Sequence, residues 1–217
     1  MKNLATQNVI GIIDYGLGNI FSIERAFEII GVDTVVVKSP EMLKGIEKIV
    51  LPGVGNFNEG INNLNNLGFS DYIQRHVESN GFILGICLGM QLLLTSSSEG
   101  GGAKGLDIIK GKVRLLDFNT PCSVPHIGWN DLFGPDISQI KLFNEIETGS
   151  ACYFVHSYHA DIDIDIDIDI DIRKVYTEHC GNNILAAYNK GNVYAVQFHP
   201  EKSQNIGLKI LKNFVRL

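Results

Sequence analysis

Gly85-Ile86-Cys87-Leu88-Gly89-Met90-Gln91 sets one cysteine between two glycines, after the apolar run Phe82-Ile83-Leu84 and ahead of Leu92-Leu93-Leu94. Such a pattern writes a strand that turns abruptly into a helix. The residue at the bend takes a strained backbone conformation, and small neighbours spare it a collision. Its side chain is thereby presented to a cleft. A helix starting directly behind Cys87 favours the thiolate, because its first turn carries partial positive charge. Alone, the stretch also admits a buried structural cysteine in a Gly-rich turn as the lesser reading.

Working outward, Val9-Ile10-Gly11-Ile12-Ile13 reads as a strand ended by Asp14-Tyr15-Gly16. Residues 19–30 follow with Ile20, Ile23, Ala26, Phe27 and Ile30 on one helical face. Residues 34–37, 49–51 and 82–86 read as three further strands, with helical segments between them. That alternation predicts an α/β fold: a flavodoxin-like, open, mostly parallel sheet with helices on both faces. Ligands bind such sheets at the carboxyl ends of the strands, which brings residues 14–19, 52–55 and Cys87 to one edge. Beyond residue 105 the texture becomes strand-like. Residues 112–116, 151–158, 184–189 and 193–198 predict an antiparallel β extension in the C-terminal half, and 205–215 an amphipathic terminal helix.

A chain of 217 residues with 45% hydrophobic residues is read as a single domain spanning 1–217. No apolar run suits a membrane span and the N-terminus lacks a signal-peptide core, so the expected location is cytoplasmic. The net charge of −6 is local: residues 161–172 are Asp-Ile repeated six times. Taking those six aspartates from the 24 acidic residues leaves 18, matching the 18 lysines and arginines. No basic stripe remains for nucleic acid. The repeat is expected to be a low-complexity insertion loop. Cys87, Cys122, Cys152 and Cys180 show neither CxxC pairing nor Cys/His ligand spacing, so free thiols are expected, with no disulfide, metal or cofactor.

A thiolate nucleophile needs a general base, and the base needs a group to orient it. Among six histidines, His199 stands in Val196-Gln197-Phe198-His199-Pro200-Glu201, where a strand delivers the imidazole and Glu201 emerges beside the ring. An oxyanion hole is the third requirement. The N–H of Leu88 can supply one donor, and the loop Pro52-Gly53-Val54-Gly55 the other, through a peptide that two glycines leave free to turn.

The motifs Gly85-x-Cys87-x-Gly89-x-Gln91, Pro52-Gly53-x-Gly55 and His199-Pro200-Glu201 together resemble the triad (class I) glutamine amidotransferases, in the same chain order. More narrowly, residues 14–19, Pro125-His126-Ile127-Gly128-Trp129-Asn130, Tyr153-Phe154-Val155-His156-Ser157-Tyr158 and 199–203 are similar to the glutaminase subunits of imidazole glycerol phosphate synthase. The resemblance implies glutamine as substrate, attacked by Cys87 with His199 and Glu201 completing the triad. Gln91, Glu99, His156 and Ser157 would hold the glutamine, Glu99 as the partner of its α-ammonium. The resemblance further implies a heterodimer with a (β/α)₈ barrel cyclase that consumes the ammonia in histidine biosynthesis. Tyr15, Asn19, Trp129, Tyr153 and Lys202 would form the docking face and its gate. The catalytic motifs alone leave open a sugar-amidating synthase, an unrelated Cys-His-Glu hydrolase or an inactive bracing subunit.

Overall fold

In the computed structural model, which describes residues 9–117, 122–162 and 171–217, the predicted strand–helix alternation is present from the first element onward. In chain order the elements are β1 Ile10–Ile13, α1 Ile20–Ile29, β2 Thr34–Val37, β3 Lys48–Leu51, α2 Phe57–Asn66, α3 Phe69–Glu78, β4 Phe82–Ile86 and α4 Leu88–Leu92. There follow β5 Leu94–Ser97, β6 Ala103–Lys104, β7 Ile109–Leu115, β8 His126–Asp131, β9 Ala151–His156, β10 Tyr158–Asp161, β11 Arg173–His179, β12 Asn182–Lys190, β13 Val193–Val196 and α5 Gln204–Val215. Residues 163–170, most of the Asp-Ile repeat, and the N-terminal residues 1–8 lie outside the described residues.

The main sheet has the order β11-β12-β13-β4-β3-β1-β2. Its strands β13, β4, β3, β1 and β2 run parallel, and β11 and β12 add the antiparallel extension. Because successive side chains point to opposite faces, a parallel strand covered on both sides must be apolar throughout. Ile10, Ile12, Val50, Leu84, Ile86 and Val196 pack on one face with Ile23 and Phe27 of α1 and Ile210, Leu211 and Phe214 of α5. Ile13, Ile49, Leu51, Ile83, Val193 and Ala195 pack on the other with Phe57, Ile61, Leu64, Phe69 and Ile73 of α2 and α3. Each such fully buried side chain contributes about 1.5–3 kcal/mol.

Helix starts are set locally. Asn19 Oδ1 accepts from the Ser22 N–H and Asn56 Oδ1 from those of Asn58 and Glu59, so α1 and α2 begin on side-chain caps. The stretch 151–158, expected as one strand, breaks at Ser157: β9 pairs with β8, whereas β10 joins a second sheet of order β10-β7-β5-β6. No helix among the described residues is long and apolar enough to cross a membrane.

Candidate active site

Four parallel neighbours, β13, β4, β3 and β1, end on the same edge, and the residues that follow β3 and β4 line one cleft. At the end of β4, Cys87 sits at φ 53° and ψ −109°, the strained bend that the flanking glycines predict. A Cβ on Gly85 would press against the Gly89 backbone, and one on Gly89 would run into the Leu51 carbonyl. Both glycines therefore let α4 sit directly on β3 and β4. The Cys87 thiol is 6% exposed, with Gln197 Nε2 donating to its sulfur at 3.7 Å.

Beyond β13, His199 Nδ1 lies 2.8 Å from Glu201 Oε1, and both side chains are almost fully buried. With Nδ1 taken by the carboxylate, only Nε2 is left to exchange a proton with Cys87. Among the described residues Nε2 is buried without a hydrogen-bond partner. Burial alone would discharge the ring, but the interactions with Cys87 and Glu201 outweigh it and push the imidazole up to about 10. The backbone around it is held by Ser203, whose hydroxyl donates to the His199 carbonyl at 2.7 Å and accepts the Tyr153 N–H at 3.0 Å.

The loop expected to supply an oxyanion donor carries an arrangement that the residues alone do not reveal. The Leu88 N–H donates to the Gly53 carbonyl at 3.3 Å. That carbonyl and the Val54 N–H belong to one planar trans peptide and point in opposite directions, so the Val54 N–H faces away from Leu88. One candidate donor is thus occupied and the other is turned out. Gly53 is hemmed in by Tyr15 and Leu88, whereas Gly55 has φ 99° and open space around its Cα. A turn of this peptide rotates ψ of Gly53 and φ of Val54, and the open Gly55 leaves the backbone beyond it room to follow.

Facing Cys87 is a cavity of about 420 Å³ lined by Val54, Gly55, Leu88, Gln91, Glu99, Pro125, His156 and Ser157 among others. Glu99 reaches it, but its Oε2 also accepts the N–H of Phe57 at 2.8 Å, fastening the start of α2. Gln91 is buried and donates from Nε2 to the Tyr158 carbonyl at 2.9 Å and to Gln197 Oε1 at 3.0 Å. A chain of neutral groups continues behind this wall. Asn130 Nδ2 contacts His126 Nε2 at 2.8 Å, His126 Nδ1 contacts His156 Nε2 at 2.9 Å, and His156 Nδ1 contacts the Tyr158 carbonyl at 2.9 Å. An amide N–H at one end and a carbonyl at the other allow one proton arrangement: each imidazole accepts at Nε2 and donates from Nδ1. Burial holds His126 down at about 4 and His156 at about 3.

Trp129 is 45% exposed and meets Tyr153 edge to face, while Lys202 lies over the same Tyr153 ring. Asn19 is exposed at its helix cap. Tyr15, expected on a docking face, is instead in the core at 1% exposure, its hydroxyl donating to the Pro52 carbonyl at 2.8 Å. It sits there because it lies two residues past the end of β1, and it braces the loop 52–55 from beneath. The expectation of four free thiols is also corrected. Cys87 and Cys152 are free, but Cys122 and Cys180 are joined as a disulfide. Their sulfurs and a nitrogen of His179 lie within 4.8 Å of one another, a cluster of metal-ligand type that spacing hid because the fold, not the sequence, brings positions 122 and 179–180 together. Gln197 and Ser203 receive no role from the sequence, although Gln197 lies two residues before His199 and Ser203 closes the 199–203 motif.

The class I glutamine amidotransferase family matches residues 11–217. The imidazole glycerol phosphate synthase subunit HisH of Chlorobium luteolum is 42% identical over 204 residues, covering 94% of this chain and 97% of the relative. HisH 1 of Campylobacter jejuni is 41% identical over 210 residues, covering 96% of this chain and 100% of the relative. Among solved structures, a protein described as a GMP synthase subunit from Thermoplasma acidophilum superposes with a TM-score of 0.71 at 22% identity, over 97% of this chain and 93% of that one. PurLQS from Thermotoga maritima gives 0.70 at 19% identity, over 97% and 98%. These likenesses carry the fold, and the closer sequence relatives carry the family. The chain belongs to the class I glutamine amidotransferases and, within them, to the HisH subunits of imidazole glycerol phosphate synthase.

Proposed function

We propose that Cys87, His199 and Glu201 work as the glutaminase triad and that the ammonia they release passes to a (β/α)₈ barrel cyclase docked over the cleft. Cys87 Sγ attacks the side-chain amide carbon of glutamine, and the carbonyl oxygen becomes an oxyanion. Held as imidazolium, His199 gives its Nε2 proton to the departing nitrogen, so ammonia leaves and a glutamyl thioester remains. Neutral again, His199 takes a proton from water, which attacks the thioester and frees glutamate. Glu201 keeps Nδ1 protonated throughout and stabilises the charged ring.

The observation that carries the reading is the Gly53–Val54 peptide. With its carbonyl on the Leu88 N–H, the resting chain has no oxyanion hole. Turning that peptide, through ψ of Gly53 and φ of Val54, frees the Leu88 donor and brings in the Val54 donor. A partner seated on Asn19, Trp129, Tyr153 and Lys202, beside this loop's edge of the sheet, supplies the binding energy for the turn. One oxyanion donor contributes about 10²–10³ in kcat. Glutaminase activity of the isolated chain is accordingly expected at least about a hundredfold below that of the complex. In the assembled complex, Cys87→Ala abolishes synthesis from glutamine and leaves synthesis from ammonium salts intact. Loss of both activities would contradict the division of labour.

A further inference from the structure

One reactive cluster stays outside the chemistry above. Cys180 is exposed at the turn between β11 and β12, and Cys122 is half-buried on the approach to β8. Their bond joins positions 58 residues apart across a Cα separation of 6.1 Å, inside the range a disulfide spans without backbone movement. His179 Nε2 lies 3.3 Å from the Cys122 sulfur and 3.1 Å from the Ser123 carbonyl. Three residues beyond Cys122, Pro125 forms part of the glutamine cavity wall. The His179 ring also stacks on His126 at 4.1 Å, and His126 donates to His156 in that same wall.

We propose that Cys122 and Cys180 are a reversible thiol–disulfide pair, oxidised by a low-molecular-weight disulfide, that sets how tightly the cavity takes glutamine. The inference rests on the glutaminase reading above. Cys180, the exposed member, attacks the small disulfide RS–SR, forming Cys180–S–SR and expelling RS⁻. Cys122 then attacks the Cys180 sulfur, closes the protein disulfide and expels the second RS⁻. Two electrons pass from the protein thiols to the small disulfide, and the two protein protons leave on two RSH.

Closed, the bond fixes residues 122–125 against the β11–β12 turn, so the Pro125 wall is already in place when glutamine arrives. Open, that segment has to be ordered on binding, and the entropic cost appears as a weaker KM. The direction is therefore fixed: oxidation tightens glutamine binding.

The test uses the full chain in complex with its synthase partner, equilibrated with oxidised glutathione or with dithiothreitol. Alkylation and mass mapping count the thiols at Cys122 and Cys180 separately from Cys87, and glutaminase kcat and KM are measured on each form. The reduced form is expected to show a KM for glutamine roughly tenfold higher with little change in kcat, a factor equivalent to about 1.4 kcal/mol. Cys180→Ser and Cys122→Ser should each hold KM at the reduced value and abolish its response to either reagent, so that one well-folded variant suffices. Normal glutaminase activity with equal KM in both forms would overturn the switch. So would thiols that resist oxidation until a chelator strips a divalent metal from them, which would make the cluster a metal centre. Absence of glutaminase activity in both forms would instead overturn the glutaminase reading, and the switch with it.

Discussion

The pair His126 and His156 makes stability depend on acid in a way that can be worked out from its geometry. His156 Nε2 accepts from His126 Nδ1 across 2.9 Å, so a proton added there would set two N–H groups against each other. Burial adds to this, and His156 is held at about 3, against about 6.5 for an unfolded histidine. Between those values the unfolded chain binds the proton and the folded chain does not. The contribution is complete above pH 6.5 and is lost as pH falls toward 3. Falling from pH 6.5 to 5 spans about 1.5 pH units at about 1.36 kcal/mol each, or roughly 2 kcal/mol from His156. His199 does not cancel this. Its folded value is raised to about 10, so its contribution is full below pH 6.5 and is lost only as pH rises through that higher value. Urea unfolding at pH 6.5, 6 and 5, on wild type and His156→Gln in the same thiol state, isolates the effect. Wild type should lose about 2 kcal/mol more than the variant over that interval. Parallel stability curves for the two proteins would refute the neutral relay.

Two further perturbations probe the elbow and its loop. Tyr15→Phe removes the donor to the buried Pro52 carbonyl and is expected to cost about 1–3 kcal/mol in thermal unfolding; an unchanged Tm would mean that Tyr15 does not brace the loop. Gly89→Ala drives a methyl group into the Leu51 carbonyl, so α4 must leave β3 at a cost of about 3 kcal/mol or more. A variant as stable as wild type would show that the close approach is not needed.

What could be read from the sequence was whatever depended on neighbours along the chain. Gly85, Cys87 and Gly89 encode the bend because the strain, the close strand–helix approach and the helix start all arise within five residues. The buried parallel strands were legible as well, since cover on both faces leaves no polar position in Ile49-Val50-Leu51 or Ile83-Leu84. His199 and Glu201 were legible because the residues that deliver and orient the ring lie two apart. Contacts that cross loops were not. Tyr15 was expected on a docking face until β1 placed it beneath Pro52, and nothing along the chain showed that the Glu99 carboxylate also meets the first turn of α2. Cys122 and Cys180 are adjacent only because β8 pairs with β9 while β11 packs against β8, a relation no spacing rule contains.

The orientation of the Gly53–Val54 peptide belongs to a different category. Pro-Gly-Val-Gly specifies a loop able to hold a peptide either way round, and the two orientations exchange a carbonyl for an N–H at the same point in space. What decides between them is the Leu88 N–H, an unsatisfied donor at the start of α4 that takes the Gly53 carbonyl when no oxyanion competes for it. The resting geometry therefore follows from the helix start directly behind Cys87. A donor strong enough to hold an oxyanion is strong enough to hold a carbonyl in its absence, so the elbow tends to switch itself off. Under the proposed function activation comes from outside the loop, and the exposed Trp129 and Lys202 around Tyr153 are where a docked partner would supply it.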